Sequence, residues 1–120
     1  VKQTILIELS DKQIGIVRNP YERIITLYRD SWNWIGLEKW LSKNNIQPQC
    51  TLYKDCDGII RLENWESDCL DLDFTIPDEN ALKLLDKKYS TDYKRWYGTN
   101  LKHIVSDIVK SDLDTYGYRF

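Results

Sequence analysis

The chain has 120 residues, with 17 basic against 19 acidic side chains and a net charge of −2. That length fits one small domain spanning residues 1–120, and the near balance of charge leaves no basic face for general binding to nucleic acid. No run approaches the roughly eighteen apolar residues of a membrane span, and no basic-then-apolar start marks a secretory signal, so a soluble cytoplasmic protein without nucleic-acid or membrane partners is expected.

Residues 4–9 form a short apolar, β-branched run and read as a strand. After the polar break at residues 10–13, residues 14–17 read as a second strand. A four-residue link is too short for a parallel crossover, which needs about a dozen residues, so the two strands are predicted to form an antiparallel hairpin. Pro20 cannot sit inside a central strand but suits the first turn of a helix, with Asn19 as its N-cap. Tyr21, Ile24, Ile25, Leu27 and Tyr28 then follow helical spacing to about Asp30. Residues 31–36 interrupt the pattern, and residues 37–43 read as a short helix with Leu37, Trp40 and Leu41 on one face.

Further along, residues 51–53 read as a brief extended piece, 55–58 as a turn, 59–62 as a strand and 65–72 as one or two helical turns. Ile76-Pro77-Asp78 opens a helix carrying Ala81, Leu82, Leu84 and Leu85. The last helix is capped by Thr99 or Asn100, bears Leu101, Ile104, Val105, Ile108, Val109 and Leu113 on one stripe, and is closed by Gly117. The expected class is α/β, with a small sheet of about three strands, an N-terminal hairpin and roughly four or five packing helices.

The three cysteines, Cys50, Cys56 and Cys69, cannot all pair, and no C-x-x-C occurs. With His103 the one histidine, a metal site is disfavoured and buried or half-buried thiols in a reducing compartment are expected. The aromatic balance is uneven, with 8 Tyr and 5 Trp against 2 Phe. Tyr and Trp are enriched at interfaces, which makes Trp32, Trp34 and Trp40, with Trp65 and Trp96, candidate anchors for a protein partner. Burial in the core is the commoner role for any one of them.

One segment carries chemistry. A strand ends in Arg18, turns at Asn19-Pro20 and enters a helix, setting backbone N–H groups and a positive dipole end beside a guanidinium. Arg23 and Thr26 follow one and two turns into the helix, where the Thr26 hydroxyl can turn toward the same anion.

Ile14-Gly-Ile-Val-Arg-Asn-Pro-Tyr-Glu-Arg-Ile-Ile-Thr-Leu-Tyr28 resembles the sulfotransferase superfamily, in particular its carbohydrate-type and bacterial or phage-type members. Their strand–Arg–Asn/Asp–Pro–x–x–Arg–x–x–Ser–x–Tyr segment binds the 3′-phosphate of 3′-phosphoadenosine 5′-phosphosulfate. Arg18, Asn19, Pro20, Arg23 and Tyr28 match, and Thr26 keeps the hydroxyl of the family's Ser. The resemblance implies phosphate contacts for Arg18 and Thr26, and a structural part for Arg23. Stretches beginning at Gln49 and Ile60, with Tyr93 to Tyr97 and Ile108 to Phe120, look like further family segments in the family's order.

The family's second motif, a Lys-x-Gly-Thr-Ser/Thr loop that holds the 5′-phosphosulfate, has no counterpart in the thirteen residues before Ile14. The implied fold is therefore a truncated sulfotransferase-like (P-loop-NTPase-like) one, in which the first strand covers the edge that the loop's own strand would occupy. No general base stands out: His103 lies off the apolar stripe of the last helix, and Glu22 and Glu63 show no pairing that would tune them. Arg18, Thr26 and the helix start could contribute roughly 4–6 kcal/mol to an anion, enough for about millimolar affinity.

Three readings stay open. The first is a non-catalytic protein on a sulfotransferase-derived fold that binds another macromolecule; truncated family members of this type look like viral or phage accessory proteins. The second is a sulfotransferase whose missing loop lies outside this chain or comes from a partner. The third is a small anion- or nucleotide-binding module that uses Arg18, Asn19, Arg23 and Thr26.

Overall fold

The computed structural model describes residues 6–9, 12–31, 35–72 and 92–120. The chain divides into two compact units, one of residues 4–18 and 53–89, the other of residues 1–3, 19–52 and 90–120. The class is α/β, with a three-stranded sheet in the first unit and, among the described residues, six α-helices across both.

In the sheet unit, β1 (Leu6–Leu9) pairs antiparallel with β2 (Lys12–Val17), Leu6 opposite Gly15 and Leu9 opposite Lys12. This is the expected hairpin, with β2 starting two residues early. There Gln13 N–H donates to the Asp57 carboxylate and Asp57 N–H donates to the Gln13 carbonyl, both at 2.8 Å. β2 in turn pairs parallel with β3 (Gly58–Arg61), from Ile14 opposite Gly58 to Val17 opposite Arg61.

Ile14 to Val17 are all buried, which is why they read as a continuous apolar run rather than an alternating one. On one side Ile14 and Ile16 join Ile60, Leu62 and Cys69 in the core, with Trp65 packed against it. At Gly15 the ring of Tyr53 approaches so closely that a Cβ would lie 2.7 Å from Tyr53 Cδ1. After β3 a 3-10 turn (Leu62–Asn64) leads into α4 (Trp65–Asp71). Asp68 ties this corner back to the strand end: it accepts from Arg61 N–H at 2.8 Å and from the guanidinium at 2.8 and 3.0 Å.

The helical unit starts with α1 (Pro20–Asp30), where Asn19 caps and Pro20 takes the first turn as expected. α2 (Leu37–Lys43) buries Leu37, Trp40 and Leu41. α3 (Gln49–Leu52) occupies part of the segment expected to be extended. The cause is tertiary: the fully buried Asp112 carboxylate accepts from Gln49 N–H and Cys50 N–H, each at 2.8 Å, and so caps a turn too short to stand alone.

A 3-10 turn (Asp92–Trp96) precedes α5 (Thr99–Ile108) and α6 (Lys110–Tyr116). The single last helix expected from the stripe is thus two, broken at Val109. Its start differs too: Gly98 is the N-cap, without a side-chain cap bond, in place of Thr99 or Asn100. Gly117 closes α6 at φ 73°, the left-handed cap expected of it. Val105 and Val109 are buried, whereas Ile104 of the same stripe is exposed. The helix expected around residues 76–85, and Trp32 and Trp34, lie outside the described residues. Among the described residues, no helix is long and apolar enough to cross a membrane.

Candidate functional site at the start of the first helix

Each residue of the Arg18–Thr26 segment has a definite place. Arg18 follows β2 directly, closes the first stretch of the sheet unit and is half-buried. Asn19 opens the helical unit and is 5% exposed. Both ends of its amide are engaged: Oδ1 accepts from Tyr21 N–H at 3.0 Å, and Nδ2 donates to the Arg119 carbonyl at 2.8 Å. Arg23, 4% exposed, donates from Nη1 to the Gln47 carbonyl at 2.9 Å. Thr26 donates its hydroxyl to Glu22 Oε1 at 2.9 Å, and Glu22 is itself buried.

Around Tyr21 the aromatic excess forms a packed corner. Its ring meets Phe120 edge-to-face at 4.9 Å and Tyr97 at 5.7 Å, and Tyr93 and Tyr97 each meet Phe120 in the same way. The phenols find partners, as buried phenols must: Tyr21 with Ser106 Oγ at 2.6 Å, Tyr97 donating to the Tyr21 carbonyl at 2.7 Å, Tyr93 to the Phe120 carbonyl at 3.3 Å. Burial, then the neighbouring Tyr21, Tyr93 and Glu22, push the Tyr97 phenol far above its ordinary value. Lys102 Nζ lies 4.1 Å from the Phe120 ring centroid.

Trp40 is 2% exposed and packs edge-to-face on Tyr28, so this candidate anchor is a core residue and offers no surface to a partner. Trp65 and Trp96 are half-buried and His103 is exposed. Cys50 and Cys56 are half-buried free thiols and Cys69 is buried. Burial pushes the Cys69 thiol up, assisted by Asp68, and does the same at Cys56 with Asp57 and Asp55. Among the described residues, no group of three or more His, Cys, Asp or Glu side chains is arranged so that it could hold a metal ion.

A cleft of about 40 Å³ opens within the helical unit, between α1 and the 3-10 turn at Asp92–Trp96. Glu22, Thr26 and Arg29 line it from α1, with Asp92, Tyr93 and Trp96 opposite. Glu22, Ile25, Thr26 and Arg29 form one stripe at helical spacing, a pattern present in the sequence. The opposite wall carries no such signal.

Several stretches singled out by the resemblance bond to one another: Asn19 meets Arg119, Gln49 meets Asp112, Tyr21 meets Tyr97, and Tyr93 meets Phe120, while Arg61 and Asp68 meet within one stretch. No family, curated protein or solved structure was found that matches the chain.

Proposed function

We propose that the chain is a non-catalytic binding protein on a sulfotransferase-derived scaffold, whose partner is another protein. The observation that supports this reading is the engagement of the motif's polar groups inside the fold. Asn19 joins Tyr21 to Arg119, Arg23 holds the Gln47 carbonyl, and the Thr26 hydroxyl is directed at a buried carboxylate. A phosphate at Thr26 would have to take that hydroxyl from Glu22 and then face its carboxylate, at the cost of like-charge repulsion. On this reading the segment is kept as architecture.

Calorimetry with 3′-phosphoadenosine 5′-phosphate tests it. Silence with wild type, together with one stoichiometric protein captured on the immobilised chain, is the expected result. Heat that Arg18→Ala abolishes would sink it in favour of the second reading, a nucleotide or anion module. The second reading draws on Arg18, which directly follows β2 at the carboxyl ends of the parallel pair, the end where open α/β sheets take ligands.

A further inference from the structure

Residues 117–120 follow α6, lie outside helix and sheet, and return to the start of α1. The turn is made at Gly117, which is exposed and left-handed at φ 73°. Among the described residues, nothing beyond its chain neighbours stands within 4 Å of where a Cβ would sit there. The far end of the return is fastened. Asn19 Nδ2 donates to the Arg119 carbonyl at 2.8 Å. The half-buried Phe120 ring enters a corner of Tyr21, Tyr93 and Tyr97, with centroids at 4.9, 5.7 and 5.6 Å and ring planes nearly perpendicular. Lys102 Nζ stands 4.1 Å from the same centroid. These walls come from elsewhere in the helical unit: Tyr21 from α1, Tyr93 and Tyr97 from the 3-10 turn and the residue after it, Lys102 from α5.

We propose that residues 118–120 are a displaceable strap, and that the corner beneath Phe120 receives a phenylalanine from a segment of the protein partner. The proposal rests on the partner-binding reading and gives what that partner presents. Its chemistry is read from the occupant in place. The carbonyl that meets Asn19 belongs to the backbone, so any residue can supply it. The ring is where choice is exerted: edge-to-face contact and the attraction of Lys102 both need an aromatic face, which an aliphatic side chain lacks. A segment outside helix and sheet, turning on an exposed glycine, opens locally without unfolding the unit that holds it. While closed, it lowers the partner's apparent affinity in proportion to the fraction of time the corner stands open, so the contact is autoinhibitory.

The test is a fluorine NMR titration of the full chain with acetyl-Gly-Tyr-Arg-(4-fluoro-Phe)-amide, which carries the sequence of residues 117–120. Saturable binding to Phe120→Ala is expected at about millimolar Kd, because so few atoms contribute. It should be about tenfold tighter than to wild type, whose own ring holds the corner. The unlabelled peptide should compete, and its form with Ala in place of Phe should not. Gly117→Ala strains the turn in open space and leaves the corner intact; about threefold tighter binding than wild type is expected. That variant carries the test should Phe120→Ala fail to fold by circular dichroism. No saturable binding to a folded variant, equal affinity in wild type and a folded variant, or equal competition by the Ala peptide overturns the proposal. A wild-type dimer in sedimentation that Phe120→Ala dissolves overturns the partner segment in favour of a second copy's strap. Failure here leaves the nucleotide calorimetry and partner capture untouched, so the two readings fall separately.

Discussion

The two units hold themselves together by different means. In the sheet unit, stability comes from packing: an apolar cluster of Ile14, Ile16, Ile60, Leu62 and Cys69, with the Arg61–Asp68 pair at its margin. The helical unit instead threads buried polar groups between distant segments. Asp112 reaches α3 across 63 residues, Asn19 reaches Arg119 across 100, and Tyr21 reaches Ser106 across 85. Apolar packing is tolerant of volume-conserving change, whereas a buried polar tie fails when either end is removed, because the remaining group is left without water or partner.

The largest effect is expected at Asp112. Asp112→Ala removes the acceptor of two backbone N–H groups, one buried and one part-buried, each a bond to a charged group worth about 1.5–3 kcal/mol. A loss of about 3 kcal/mol or more in urea denaturation is expected. Asp112→Asn can serve only one of the two donors and should lose less. If Asp112→Ala costs no more than an ordinary surface change, the polar account of this unit is wrong.

A smaller effect is expected on the other side of the comparison, at Gly15. An added Cβ would sit 2.7 and 2.8 Å from Tyr53 Cδ1 and Cγ, so the ring itself must move. Gly15→Ala should cost about 1–3 kcal/mol by overpacking, and Tyr53→Leu in the same chain should recover part of it. That recovery, read as a double-mutant cycle, marks a steric cause. Additive losses would point instead to the backbone of β2.

What was legible in the sequence follows the same division. The hairpin, the strand at Gly58–Arg61 and the Asn19-Pro20 helix start are local signals: short link, β-branched run, capping residue. The helical turn at Gln49–Leu52, where 51–53 reads as extended, is not legible locally because its cap, Asp112, is remote in the chain and no window around residue 50 contains it. The split of the last helix at Val109 was missed for a related reason. The apolar stripe runs through the break, and nothing local interrupts its period. Trp40 shows the limit of composition: an excess of Trp says nothing of which ring faces out, and this one lies against Tyr28. The motif residues are legible as a set, and Glu22 is legible as a carboxylate beside them; its pairing with the Thr26 hydroxyl comes from the helix, which puts positions four apart on one face.

The smallest effect is expected at the Arg61–Asp68 ion pair in the sheet unit. Arg61 holds the Asp68 carboxyl below its ordinary value, first through the side-chain hydrogen bonds, against the opposing cost of burial. A group whose folded value is lowered contributes stability that is present above its unfolded value, about 3.9 for Asp, and is lost as pH falls through the folded one. The contribution should therefore be intact at pH 7 and fade below about pH 4. Because the Arg61 side chain is 40% exposed, solvent screens the pair and the effect should be modest. Asp68→Asn should flatten the acid limb of the stability curve while leaving the apolar cluster in place, and 1 M salt should reproduce part of that flattening. A variant whose acid limb matches wild type would show that Asp68 contributes as an acceptor for Arg61 N–H and not through its charge.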